Sequence, residues 1–98
     1  MKPHEKEKIL QDAVETFGIS PQMRMLQEEC AELIVAASHL ERGRKDAFDN
    51  FIEEIADVEI MIEQVCYGLV VDVEPYKERK LIRLREKIDE YKQKNRHV

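Results

Sequence analysis

Apolar residues recur at the three- and four-residue intervals of helices along nearly the whole chain, and no strand-like alternation of useful length interrupts them. Ile9, Leu10, Ala13, Val14 and Phe17 share one side of a segment from about His4 to Phe17, where Gly18 predicts a stop. Ser20-Pro21 has the character of a helix start, with serine as N-cap and proline at the first helical position. The helix that follows is predicted to run to about Arg42 and to end at Gly43. Asp46 predicts the cap of a third helix reaching about Tyr67, with Gly68 at its end. Asp72 to Pro75 opens a fourth, which carries Leu81, Leu84, Ile88 and Tyr91 at the spacing of a coiled-coil-like seam. The pattern predicts an all-α fold, a four-helix bundle-like protomer with short loops.

At 100° per residue, Met23, Leu26, Cys30, Leu33, Ile34, Ala37 and Leu40 form one apolar stripe on the second helix. Glu29 and Glu32 flank that stripe, in line with Met25 and Ala36. On the third helix the main stripe is Phe48, Phe51, Ile52, Ile55, Val58, Ile62, Cys66 and Leu69, flanked by Glu54 and Asp57 in line with Asn50 and Met61. Carboxylates three residues apart on a helix share a face, so neighbouring antiparallel helices would bring these four to one point. Their mutual repulsion opposes folding, and a divalent cation relieves it. Oxygen ligands of this kind suit Mg²⁺ or Mn²⁺. The competing reading is a solvated acidic face, because 21 of 98 residues are acidic and such pairs arise by chance. Glu28 and Glu53 point further toward solvent, which suits supporting roles. Glu59 falls within the apolar stripe with no evident partner, where burial of a lone carboxylate would cost several kcal/mol.

Composition narrows the function classes. Ninety-eight residues make one domain, and 43% apolar with 38% charged residues is too apolar for disorder and too polar for a membrane protein. No run approaches the roughly 20 apolar residues of a spanning helix, and Met1-Lys2-Pro3-His4-Glu5-Lys6 lacks a signal-peptide core, so a cytoplasmic location without membrane contact is expected. Cys30 and Cys66 fall on apolar faces and read as reduced structural thiols. A net charge of −5 argues against nucleic acid as a partner. Basic residues nevertheless outnumber acidic ones from Lys77 to Arg96, as a phosphate-binding edge or a solvated helix face would require. No Glu-x-x-His step supports a di-iron centre, and no phosphate loop, zinc pattern or nucleophile triad is present.

Glu28-Glu29-x-x-Glu32, a gap of twenty-one residues, then Glu54-x-x-Asp57 resembles the acidic motif of MazG-like nucleotide pyrophosphohydrolases. These belong to the all-α NTP pyrophosphatase superfamily, with the dimeric dUTPases and the phosphoribosyl-ATP pyrophosphohydrolases. The resemblance covers about Phe17-Gly18 to Arg85, including Lys80-Leu81-x-Arg83-Leu84 on the last helix. It implies that Glu29, Glu32, Glu54 and Asp57 bind Mg²⁺ and that Lys80 and Arg83 meet phosphates. It also implies hydrolysis of nucleoside triphosphates to monophosphate and pyrophosphate by a homodimer or homotetramer. Asp57 is followed by Val58-Glu59-Ile60-Met61, without the histidine usual in the phosphoribosyl-ATP enzymes. Tyr76-Lys77 stands one turn before Lys80, where the family often has an asparagine.

The residues suit that chemistry independently. Carboxylate-bound Mg²⁺ neutralises a polyphosphate, and Glu28 or Glu29 could accept a proton from the attacking water. Phe17, Gln22 and Met25 are candidates for a base pocket, while Phe17 and Met25 are equally suited to plain core positions. Helix three, apolar on most sides between Ile52 and Leu69, calls for partners beyond one chain. Two alternatives stay open: a non-catalytic helical interaction module, and a dUTPase-like enzyme of narrow base specificity.

Overall fold

A computed structural model describes residues 1–96 as four helices, α1 Pro3–Phe17, α2 Ile19–Glu41, α3 Ala47–Leu69 and α4 Glu74–Lys94. The all-α expectation holds, with no strand among the described residues. None of these helices is long and apolar enough to cross a membrane.

Gly18 alone separates α1 from α2. Its φ of +87° suits glycine, and its N–H donates to the Val14 carbonyl at 2.8 Å, closing α1. Because α2 starts at Ile19, Ser20 is already helical and is not the cap expected from Ser20-Pro21. At the far end of α3, Gly68 is not the stop either: the helix continues to Leu69, and Val70 takes the left-handed cap conformation at φ +55°. A β-branched residue held there costs roughly 1–2 kcal/mol. Gly68 serves instead to let helices approach. A Cβ at that position would lie 2.7 Å from Ile19 Cδ1 and 3.1 Å from Val14 Cγ1, so the α1–α2 elbow seats directly on the α3 backbone. Asp72 accepts from the Glu74 N–H at 3.0 Å and starts α4, with Pro75 in its first turn.

The helices do not form the four-helix bundle that the pattern suggests. α2 and α3 are the principal pair, α1 packs along α3 and touches α2, and among the described residues α4 packs on none of them. A Cα radius of gyration of 17.8 Å exceeds the roughly 13 Å of a compact domain this size. Among the described residues, only Ala36, Ala47, Val58, Met61 and Val65 are buried apolar residues.

The buried line also departs from the main stripes, of which Val58 alone is buried among the described residues. Ile34 is 71% exposed, Phe48 62% and Ile52 48%, whereas Ala36 and Met61, in line with the acids, are buried. The α2–α3 seam follows Gln22, Glu29 and Ala36 on one helix and Asn50, Asp57 and Gln64 on the other, each set at seven-residue intervals. Gln22 bonds Gln64, Glu29 approaches Asp57, and Ala36 and Asn50 line one cavity, so the helices run antiparallel in three layers. Glu59 is exposed, one helical step away from buried Val58, which removes the difficulty of a buried lone carboxylate. Cys30 and Cys66 are free and half-buried.

Candidate metal centre

The middle layer of the seam holds the acids. Glu29 on α2 and Glu54 and Asp57 on α3 each present a carboxylate oxygen, and the three oxygens lie within 4.8 Å of one another. Glu29 and Glu54 are half-buried while Asp57 is exposed, so the trio opens to solvent on one side. Glu29 Oε2 and Glu54 Oε2 are fully occluded and accept no hydrogen bond. Buried acceptors are normally satisfied, and two orphaned carboxylate oxygens facing a third acid form a donor set fitted to a hard divalent cation.

Glu32 is the exception among the four expected ligands. It is exposed and stands outside the mutual set. Its side chain lies on the rim of a 320 Å³ cavity shared with Ala31, Val35, Ala36, His39, Asn50 and Glu54. It still acts on the centre. Burial, then the charges of Glu32 and Asp57, a hydrogen bond with Glu32 and the charge of Glu54 hold the Glu29 carboxyl above its ordinary 4.5. Burial likewise raises Glu54 from 4.5, followed by the charges of Glu32 and Asp57, the Glu32 hydrogen bond and the charge of Glu53. Glu53 and Glu28 are both exposed beside the centre.

Lys80 and Arg83 are not brought to the acids within one chain. They line a 310 Å³ cleft with Leu84 and Lys87 on unattached α4. Phe17, Gln22 and Met25 do come together, around a 590 Å³ cavity shared with Thr16, Pro21 and Met61. His39 and Asn50, the latter already in line with Glu54 and Asp57 in the sequence, are neighbours of the acids. His39 is half-buried, with Arg44 Nη1 3.1 Å from its Nε2. The signal was available: His39 is seven residues beyond Glu32 and Asn50 four before Glu54, on the same helical lines.

The raised carboxyls make stability depend on pH. Between 4.5 and their raised values, Glu29 and Glu54 keep protons in the folded chain that the unfolded chain has released. Their contribution to stability is therefore full at low pH and is lost as pH rises through that window. Without metal, the melting temperature should fall as pH rises through it, and Glu54→Gln should flatten the slope. Near neutral pH, Mg²⁺ should raise the melting temperature. A hundredfold excess over Kd adds roughly 2.7 kcal/mol, and each 1 kcal/mol is worth about 4–8 °C in a domain this size. Equal melting curves with and without Mg²⁺ would leave the acids a solvated face.

No protein-family model, characterised protein or solved structure matches the chain.

Proposed function

We propose that the chain is a Mg²⁺-dependent (Mn²⁺ as the substitute) nucleoside triphosphate pyrophosphohydrolase of the MazG-like kind, acting as a homo-oligomer on the cytoplasmic nucleotide pool. The observation that carries the reading is the meeting of Glu29, Glu54 and Asp57 at one point, with two buried oxygens left without partners. The spacing of the acidic motif supports it. Glu29, Glu54 and Asp57 would hold the cation, with Glu32 on the rim. When bound, Mg²⁺ supplies charge neutralisation for the polyphosphate and orientation of its oxygens.

The chain's own groups do the rest. Glu28 is exposed one residue before Glu29 and outside the trio, so its carboxylate is free to accept a proton from the attacking water. Lys80 and Arg83 would neutralise the leaving phosphates. Since α4 packs on no helix of its own chain, they reach an acidic centre only from a second copy. The products are a nucleoside monophosphate and pyrophosphate.

The unattached α4 also favours a second reading, a non-catalytic module whose apolar faces dock on another protein. One assay separates the two. Purified protein is incubated with each common dNTP and NTP plus Mg²⁺, and pyrophosphate is measured; release from at least one is expected. No product from any nucleotide would overturn the enzyme reading in favour of the module. Product from dUTP alone would narrow it to a dUTPase-like activity.

A further inference from the structure

We infer that the cavity at the α1–α2 elbow is the subsite for a nucleobase, and that Gln22 is the residue that reads it. This rests on the nucleotide hydrolase reading above. The 590 Å³ cavity is of ordinary ligand size. Its walls suit a flat ring: Phe17 is 61% exposed, and Met25 and Met61 offer soft thioether surface.

The polar group in it is a buried amide. Gln22 and Gln64 are both 7% exposed, the only buried polar side chains among the described residues. Gln22 Nε2 donates to Gln64 Oε1, and Gln64 Nε2 donates to Met61 Sδ at 3.4 Å. Two amides where leucines would pack cost desolvation, and the bond between them locks Gln22 in place. Gln22 thereby uses one Nε2 hydrogen on Gln64. Its Oε1 makes no hydrogen bond among the described residues and, with the second Nε2 hydrogen, remains to pair with a base, since every base carries donors and acceptors. Gln64 is the positioning residue of the pair.

Placement relative to the acids fits a nucleotide. Gln22 precedes Glu29 by seven residues and Gln64 follows Asp57 by seven, so the amide layer lies two helical turns from the acid layer along one seam. Two turns are about 10.5 Å, a span that a ribose and its first phosphate bridge. Met25 and Met61 occupy the turn between, each four residues from an acid. The cavity on the opposite side of the acids is lined by Glu32, His39, Asn50 and Glu54, which suit the polar polyphosphate end better than a ring.

The test compares α,β-imido nucleoside triphosphates with α,β-imido ribose 5′-triphosphate, which has no base, by calorimetry in Mg²⁺. The four nucleotides should bind at least about tenfold more tightly than the baseless compound. Gln22→Ala should compress the ranking among bases by about tenfold or more while leaving the baseless compound unchanged. Should Gln22→Ala fail to fold, Phe17→Trp at its exposed position introduces the single tryptophan in a chain that has none. Its fluorescence should change with nucleotide and not with the baseless compound. An unaltered ranking, a silent tryptophan, or equal affinity with and without a base would overturn the subsite alone. Failure of every compound to bind would overturn the hydrolase reading and the subsite with it.

Discussion

Glu54→Gln is expected to remove pyrophosphate release almost completely, by at least about a hundredfold, the scale on which losing one charge-stabilising group acts in a preorganised site. The substitution keeps size and shape while deleting one negative charge from the trio. In the absence of metal the same change should make the protein more stable, since the charges of Glu32, Asp57 and Glu53 already work against ionised Glu54. The two readouts therefore move in opposite directions, activity down and metal-free melting temperature up. A merely damaged fold would lower both. Glu53→Gln, at an exposed neighbouring carboxylate outside the trio, controls for net charge and should retain most turnover. If Glu54→Gln turned over at the parent rate, the acids would not be the reacting centre.

The helices were legible because each carries a long apolar periodicity, and their ends fell within a few residues of the observed ones. What failed were positions where one residue type has two physical uses. Gly68 reads as a stop, yet it is the place where Ile19 and Val14 need room. Ser20 reads as a cap, but Gly18 at positive φ breaks the chain two residues sooner. Glu29, Glu54 and Asp57 meet on the seam itself, where the stripes predict its edge. Adjacent lines on one helix are both partly apolar, and periodicity does not say which is used within the chain and which is left for a partner. Glu32 shares a face with Glu29 at i and i+3, as Glu54 does with Asp57, yet it is exposed and outside the trio, because a shared face does not fix where a flexible carboxylate ends. The Gln22–Gln64 bond, 42 residues apart in sequence, depends on the antiparallel register and could not be read from either helix alone.

Leu84→Glu with Tyr91→Glu on α4 is expected to turn an oligomer into a monomer and to abolish turnover together with it. In one chain Leu81 is 63% exposed, Leu84 50% and Tyr91 70%, on a 21-residue helix that packs on no other helix among the described residues. Most of a helix's stability in a protein comes from packing of its apolar face, which α4 lacks in one chain. Each large apolar side chain that a partner covers contributes roughly 1.5–3 kcal/mol. Charge is the ground for expecting a second copy as partner: residues 1–73 hold seven basic and sixteen acidic side chains, residues 74–98 nine basic and five acidic. A second copy's three-helix body thus complements α4 in both polarity and sign, and docking there would carry Lys80 and Arg83 toward a centre their own chain does not let them reach. Sedimentation should find the parent chain as a dimer or tetramer at micromolar concentration and the variant as a monomer with reduced helicity. Mixing inactive Glu54→Gln with inactive Lys80→Glu/Arg83→Glu should restore part of the activity, since a mixed assembly pairs one intact acidic centre with one intact α4. A parent chain that is monomeric and fully active would overturn the assembly, and inert mixtures of the two variants would overturn the supply of Lys80 and Arg83 from a second copy.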